Sequence, residues 1–243
     1  MRYGLFSDVH ANWEALTVVL TYLEQENVDA YLFCGDIVGY GPDPNRCAEK
    51  IFSLKNLIAV SGNHDLAVIG RKDLDWFNPT AQQSLSWTTQ QLKARNRKLL
   101  QKLPSIQTIS NFTVVHGSAR QPSDEYLFTI TDCLETLHYF STPIIFCGHT
   151  HRPFWFFTRG EENYFQNIEN EDSFQLSGEK NILNIGSVGQ PRDGNRQACC
   201  AIFDQEKNAI KFKRLEYDLA RTQEKMLQAQ LPAYLIERLA SGV

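Results

Sequence analysis

Five of the six histidines of the chain fall in short polar turns, and each turn follows an apolar run. In chain order the turns read SDVH, GNHD, VHG and GHTH, and a further turn, GD, presents an aspartate in the same way. Imidazole nitrogens with carboxylate and amide oxygens are donors that suit Zn, Mn, Fe or Co. Because they outnumber the roughly three or four donors of one zinc site, they predict two metal ions that share a carboxylate. The candidate ligands are Asp8, His10, Asp36, Asn63, His116, His149 and His151, with His64 beside them.

The apolar runs before these turns are predicted to be strands of a mainly parallel sheet. In the first half of the chain they alternate with amphipathic segments, which is the pattern of β-α-β units. The runs cover residues 3–9, 31–34, 57–60, 112–115 and 144–147. Ligands of open α/β sheets bind where the carboxyl ends of parallel strands meet. We therefore expect the histidine turns to converge at that edge.

The remaining segments predict helices and a second, more antiparallel sheet. Asn12 is a candidate helix cap, and Asp43 before Pro44 is favoured as a helix cap over a catalytic group. A helical insertion is expected over about 66–105, in which Asn78 as cap and Pro79 open a helix that runs through LKARNRKLLQKL. After residue 150, short strand-like runs alternate with polar turns, and residues from about 218 to 240 predict a closing helix. Since no repeat or linker interrupts the chain, residues 1–243 are expected to form a single domain.

Composition excludes several classes of protein. Hydrophobic residues make up 42% and charged residues 21% of the 243 residues, as in soluble globular proteins. A net charge of −4 does not favour a nucleic-acid partner, because binding to polyanions depends on Lys and Arg. No apolar run approaches the roughly 18 residues of a membrane span, and MRYGLFSDVH does not resemble a signal peptide. We expect a cytoplasmic protein without a membrane partner, whose six cysteines are free thiols and whose oligomeric state is open.

The series SDVH, GD, GNHD, VHG and GHTH over residues 8–151 resembles the calcineurin-like metallophosphoesterase superfamily, in its small bacterial phosphodiesterase or phosphatase type. The later INIGSVGQPRDG resembles an Asn-Pro-Gly-Ser loop of that family, with Ile185 in place of proline. The resemblance implies an α/β fold built as a four-layer α-β-β-α sandwich of two mixed sheets with a dinuclear metal site. It assigns Asp8, His10 and His151 to one metal, Asn63, His116 and His149 to the other, and Asp36 as the bridge.

The activity that the resemblance implies is hydrolysis of a phosphodiester or small phosphomonoester by in-line attack of a metal-bridging hydroxide. His64 would donate a proton or hydrogen bond to the leaving oxygen. The substrate would be a phosphorylated small molecule or a nucleotide. Other hypotheses stay open: a phosphoprotein phosphatase, a dinucleoside polyphosphate hydrolase, a nuclease that uses the basic stretch 93–102, or a non-catalytic protein-binding scaffold on the same fold.

One motif departs from the Ser/Thr protein phosphatases of the superfamily. Their second motif reads GDxVDRG, whereas residues 35–41 here read GDIVGYG. Gly39 stands where their aspartate orients the catalytic histidine, and Tyr40 stands where their arginine binds phosphate. A phenol lacks the charge and bidentate geometry of a guanidinium, which weakens the protein-phosphatase hypothesis. Arg192 is a candidate replacement cation, Tyr40 is a candidate substrate contact, and the partner that holds His64 is left open.

Overall fold

The computed structural model describes all residues, 1–243, and its strands form two six-stranded sheets. The first sheet contains β1 (Arg2–Phe6), β2 (Ala30–Phe33), β3 (Leu57–Ala59), β9 (Ser173–Gln175), β11 (Ala198–Asp204) and β12 (Ala209–Leu215), in the order β3-β2-β1-β11-β12-β9. The second sheet contains β4 (Ile106–Ile109), β5 (Phe112–Val115), β6 (Ile144–Cys147), β7 (Phe154–Arg159), β8 (Glu162–Asn167) and β10 (Asn181–Asn184), in the order β4-β5-β6-β10-β7-β8. Both sheets are mixed.

The parallel strands are divided between the two sheets, which corrects the expectation of one mainly parallel sheet followed by a more antiparallel one. Strands β1, β2 and β3 run parallel in the first sheet, and β5, β6 and β10 run parallel in the second. Strand β11 pairs with β1 in antiparallel orientation and returns the later half of the chain to the first sheet. Pairings across such sequence distances are set by tertiary packing, so local patterns could not assign strands to sheets.

Helices cover the outer faces of both sheets. They are α1 (Trp13–Gln25), α2 (Pro44–Phe52), α3 (Asn63–Val68), α4 (Pro79–Gln91), α5 (Ala94–Leu100), α6 (Ile130–Thr136), α7 (Leu219–Gln228) and α8 (Ala233–Ser241), with 3-10 turns at Leu74–Trp76 and Leu137–Tyr139. Helices α3, α4 and α5 occupy the section predicted as helical over about 66–105. The single closing helix expected over about 218–240 is wrong. Pro232 keeps the preceding residue out of the helical region, so the segment forms two helices.

Two of the three predicted helix caps are confirmed. The side chain of Asn12 accepts a hydrogen bond from the Ala15 N–H at 3.2 Å, and Asn78 accepts one from the Ala81 N–H at 3.0 Å. Asp43 precedes α2 as expected, but its side chain makes no capping hydrogen bond. Its carboxylate lies 2.7 Å from the Lys225 Nζ on α7. A charge-assisted hydrogen bond to a half-buried ammonium is stronger than one to a backbone N–H, so the side chain turns to Lys225.

Three apolar layers hold the sandwich together. Between the sheets, the ring of Phe203 lies 5.3 Å from that of Phe146 and 6.4 Å from that of Phe112, all fully buried. A second layer packs α1 and α2 on the first sheet, and a third packs α6 on the second. The expected four-layer arrangement of two mixed sheets with flanking helices is confirmed. The single domain expected over residues 1–243 stays a prediction. All six cysteines are buried free thiols. No helix combines the length and apolar character that a membrane span requires.

Candidate metal centre

The seven predicted ligands and His64 all follow strand ends and lie buried at one side of the sandwich. Asp8 and His10 follow β1, Asp36 follows β2, Asn63 and His64 open α3 after β3, His116 follows β5, and His149 and His151 follow β6. Five of the ligands adopt positive φ values, namely Asp8, His10, Asp36, His149 and His151. Such backbone is strained by about 1–3 kcal/mol per residue and persists only where surrounding contacts impose it. The turns therefore hold their donor atoms in preset positions.

One group of donors consists of Asp8, His10 and His151. The Nε2 atoms of His10 and His151 lie 3.1 Å apart, and the Asp8 Oδ1 lies 3.3 Å from the His151 Nε2 and 3.8 Å from the His10 Nε2. All three residues are at most 2% exposed. A triangle of nitrogen and oxygen atoms on this scale has the donor types that a transition metal takes.

The tautomers of His10 and His151 show that this triangle fits a cation. Each Nδ1 faces a backbone carbonyl, that of Val38 at 3.1 Å for His10 and that of Gln190 at 2.5 Å for His151. Since a carbonyl only accepts, Nδ1 holds the hydrogen and Nε2 keeps a lone pair. Burial lowers the pKa of both imidazoles, so neither Nε2 takes up a proton readily. Two buried lone pairs that face each other at 3.1 Å repel unless a cation lies between them.

A second group forms around His116. Its Nδ1 lies 2.7 Å from the Cys34 carbonyl, and its Nε2 lies 3.1 Å from the Asn63 Oδ1 and 3.3 Å from the Asp36 Oδ2. Burial opposes protonation of His116, but the carboxylate of Asp36 outweighs it and raises the pKa of His116 to about 9. The raised pKa indicates that the space between these oxygen donors favours positive charge, which a divalent ion would also supply.

Asp36 lies between the two groups. The same oxygen, Oδ2, is 3.3 Å from the His116 Nε2 and 3.6 Å from the His10 Nε2. Its other oxygen accepts a hydrogen bond from the backbone N–H of His64 at 2.9 Å. Burial alone would raise the pKa of Asp36, but the nearby imidazoles, His116 foremost, lower it below its ordinary value. An ionised carboxylate between two donor sets has the position that a bridging ligand requires.

His149 lies at the edge of the centre. Its Nε2 lies 3.2 Å from the Asp124 carbonyl, which leaves Nδ1 as the atom available to a metal, and its ring lies 4.7 Å from that of His116. Three groups of histidine and carboxylate residues have ligand atoms within 4.8 Å of one another: Asp8, His10 and His151; His10, Asp36 and His64; and Asp8, Asp36 and His116. His149 belongs to none of the three, whereas His64, predicted to stay outside the ligand set, belongs to one.

Asp65 has a structural role that the sequence reasoning missed. Its Oδ2 accepts the N–H groups of Asp36 and Gly62 at 2.9 and 3.2 Å, and its Oδ1 accepts those of Ile37 and Val38 at 3.0 and 3.3 Å. One fully buried carboxylate therefore joins the loop after β2 to the start of α3. Burial and the nearby charge of Asp36 raise the pKa of Asp65 against these hydrogen bonds. In the sequence, the only indication of this role was the presence of a carboxylate in the GNHD turn, because the backbone N–H groups that it binds cannot be predicted from sequence.

Aromatic rings pack around His64, and no carboxylate hydrogen-bonds to its Nδ1. Its ring lies 4.4 Å from that of Tyr40, 4.8 Å from that of His10 and 5.1 Å from that of Phe77. Its Nδ1 is buried without a hydrogen-bond partner and faces Gly39, where an added Cβ would lie only 2.4 Å away. Burial lowers the pKa of His64 to about 4, although Asp36 opposes this. The imidazole is therefore held neutral and in place by steric contacts.

Arg192 reaches the centre from the loop between β10 and β11. Its backbone N–H donates to the His151 carbonyl at 3.2 Å, and its guanidinium carbon lies 5.7 Å from the centre of the Tyr40 ring. One amino group donates to the Gln190 Oε1 at 2.9 Å, its Nε is buried without a partner, and no carboxylate pairs with it. Tyr40 is only 8% exposed, so it supports Arg192 and His64 more than it faces solvent.

Comparison with known proteins identifies the family of the chain. The model of the calcineurin-like phosphoesterase superfamily domain matches residues 1–208. An uncharacterised protein of Methanocaldococcus jannaschii is 38% identical over 245 residues, which cover 98% of this chain and 97% of that protein. A metallophosphoesterase from Sphaerobacter thermophilus has a crystal structure that matches with 42% identity and a TM-score of 0.89, over 100% of this chain and 99% of that one.

A further solved structure, of a hypothetical protein from Pyrococcus horikoshii OT3, shares the fold at 20% identity with a TM-score of 0.83, over 100% of this chain and 98% of that one. Helices α7 and α8 lie beyond the residues that the family model matches. The chain belongs to the calcineurin-like phosphoesterase superfamily and is a phosphate ester hydrolase.

Proposed function

We propose that the chain binds two divalent metal ions, among Mn, Fe, Zn and Co, and hydrolyses a phosphodiester or a small phosphomonoester. The proposed ligands are Asp8, His10 and His151 for one ion, Asn63, His116 and His149 for the other, and Asp36 for both. The lone pairs of His10 and His151, which face each other at 3.1 Å, are the observation that supports it most directly. All seven proposed ligands are buried, and a cation between the two facing nitrogens would relieve their repulsion.

Divalent ions bound here would supply a water of lowered pKa and positive charge toward the phosphoryl oxygens. We propose that the neutral ring of His64 donates a hydrogen bond from Nε2 to the leaving oxygen and stabilises the charge that develops there. Its fixed position between Tyr40 and Phe77 supports this role, because a donor held in place needs no reorganisation during the reaction. Burial lowers the pKa of His64 to about 4, so the ring is neutral near pH 7 and acts as a hydrogen-bond donor, while water supplies the proton that the leaving oxygen finally takes up.

Substrate binding is proposed to depend on Arg192. Its guanidinium has no carboxylate partner and lies over Tyr40, whose ring lies 4.6 Å from that of His10. A free guanidinium beside the metal ligands can bind a non-bridging phosphate oxygen, the task of the arginine that Tyr40 replaces. The alternative of a non-catalytic scaffold is disfavoured, because a scaffold has no need of seven converging donors and a free arginine.

The test begins with metal analysis of the purified protein. We expect about two divalent ions per chain after loading with Mn²⁺, and a loss of both in the D36N variant, since Asp36 lies between the donor sets. Turnover is then measured on bis-aryl phosphate, mono-aryl phosphate, a phosphopeptide and a dinucleoside polyphosphate, before and after removal of metal with EDTA. Absence of turnover on all four with Mn²⁺ bound would refute the proposal and revive the scaffold.

The role of His64 has its own experiment. The H64A variant should keep both metals and lose turnover about 100-fold or more on a substrate with an alkoxide leaving group. It should lose far less with p-nitrophenolate, which departs without protonation. The matched control is H138A, an exposed histidine on the 3-10 turn at Leu137–Tyr139. A metal-loaded H64A variant that hydrolyses the alkoxide substrate at the wild-type rate would contradict the assignment.

A further inference from the structure

Two exposed aromatic residues, Tyr126 and Phe128, extend outward from the metal centre. The ring of Tyr126 stacks on that of His149 with centroids 3.8 Å apart and planes within 16°. Phe128 stacks on Tyr126 at 5.5 Å and 6°. Tyr126 is 43% exposed and Phe128 is 49% exposed, although burial of such rings would be favourable. A stacked aromatic column thus leads from a proposed metal ligand to solvent.

A cavity of about 340 Å³ opens beside Phe128 and is lined in part by Thr150 of the GHTH turn. Its wall includes Phe128, Arg152, Phe165 and Asn167, together with Thr150, the residue between His149 and His151. The volume lies within the range of about 300–1,000 Å³ that small-molecule sites occupy. The cavity therefore neighbours the metal centre through Thr150 and Arg192, and it has room for a planar ring system.

The polar groups of the cavity suit a base with hydrogen-bonding edges. The guanidinium carbon of Arg152 lies 5.9 Å from the centre of the Phe128 ring, and its Nε donates to the Arg192 carbonyl at 2.7 Å. Neither arginine pairs with a carboxylate. The amide of Asn167 is exposed at the end of β8 and offers both a donor and an acceptor. An aromatic face, a guanidinium and an amide are the groups that recognise nucleobases.

We propose that this cavity binds the nucleobase of a nucleotide substrate whose phosphate lies at the metal centre. The base stacks on Phe128, and the Asn167 amide contacts its edge. Arg192 lines the cavity, and its guanidinium also lies over Tyr40 beside the metal centre. It therefore lies between the proposed positions of the base and of the phosphate. An acyl chain would not use Arg152 or Asn167, and a simple anion would not use Phe128. The inference rests on the proposed function, because it takes the metal centre as the phosphate site.

The test compares two ligands that differ only in the base, AMP and ribose 5-phosphate. Their dissociation constants are measured by titration calorimetry on the full chain loaded with Mn²⁺. Because stacking of one base on an aromatic side chain is worth a factor of about five to one hundred, wild type should bind AMP at least about fivefold more tightly. The F128A variant should lose this preference and bind ribose 5-phosphate as wild type does. The F128Y variant, which keeps a planar face, should retain it.

The matched control is Y139A, which removes an aromatic ring that is 57% exposed and lines none of these walls. It should leave both dissociation constants unchanged, and thermal melting should show all variants folded. If both ligands bind equally, or F128A weakens both by the same factor, the base site is refuted and the phosphoesterase proposal stands. If neither ligand binds the Mn²⁺-loaded protein, the base site and the proposed phosphate site are both refuted.

Discussion

The G39A variant is expected to lose kcat about 100-fold while it keeps its metal ions. A Cβ at this position would lie 2.4 Å from the His64 Nδ1 and 3.1 Å from the His64 Cγ. Ordinary contact needs roughly 3.5 Å, so the imidazole must move by about 1 Å. It cannot retreat freely, because the rings of Tyr40 and Phe77 lie 4.4 and 5.1 Å from it. Misplacement of a catalytic group by about 1 Å lowers rates on the order of 100-fold.

The G70A variant separates this collision from backbone strain. Gly39 has a φ of +92° and Gly70 a φ of +77°, so alanine is strained at both positions, but no atom lies within 4 Å of a Cβ at Gly70. Left-handed backbone costs alanine about 1–2 kcal/mol, which lowers the Tm of a chain of this size by about 2–8 °C. We expect that loss in G70A with unchanged kcat, and a larger loss of Tm in G39A.

The assay combines kcat on a substrate with an alkoxide leaving group, metal content per chain and thermal melting. In an H64A background, the additional G39A substitution should change kcat by less than about twofold, since the residue through which it acts is gone. The reasoning is refuted if G39A turns over at the wild-type rate, if its metal content falls with its activity, or if it slows H64A as much as it slows wild type.

Three further substitutions test the contacts that support the centre and the sandwich, each by urea unfolding at pH 7. D65N should lower the free energy of unfolding by about 2–3 kcal/mol, because an amide cannot accept all four N–H groups. The control D73N, at an exposed helix cap, should change it by less than about 0.5 kcal/mol. Equal effects of the two substitutions would contradict the role of Asp65. K225M should lower the free energy of unfolding by about 1–3 kcal/mol, since it leaves the carboxylates of Glu14 and Asp43 without their ion-pair partner. An unchanged free energy of unfolding would show that this contact between α7 and the rest of the chain is dispensable. F203A should lower the free energy of unfolding by about 3–5 kcal/mol, because it leaves a cavity between the sheets. L227A, at a residue that is 69% exposed, should lower it by less than about 0.5 kcal/mol. Similar losses in the two variants would refute the assigned core.

Local features of the fold could be predicted because they depend on neighbouring residues. The caps at Asn12 and Asn78 need only a side chain and an N–H three residues later. Strand positions follow from apolar runs and the turns that end them. The side-chain cap expected at Asp43 was wrong for the opposite reason, because its partner is Lys225, distant in sequence. The division of parallel strands between two sheets was missed in the same way, since β1 pairs with β11 across most of the chain.

The sequence by itself determined which donors this protein has, that each follows a strand, and that their order matches one superfamily. These are properties of residue type and local position. Only the tertiary structure decided that the Nε2 atoms of His10 and His151 face each other at 3.1 Å, that Asp65 joins two loops, and that Gly39 lies against His64. Such contacts join residues far apart in the chain, and their distances depend on how the two sheets and their loops pack. The tertiary structure therefore shows what holds His64 when no carboxylate hydrogen-bonds to its Nδ1. The rings of Tyr40 and Phe77 contact it, and the absence of a Cβ at Gly39 leaves room for its imidazole.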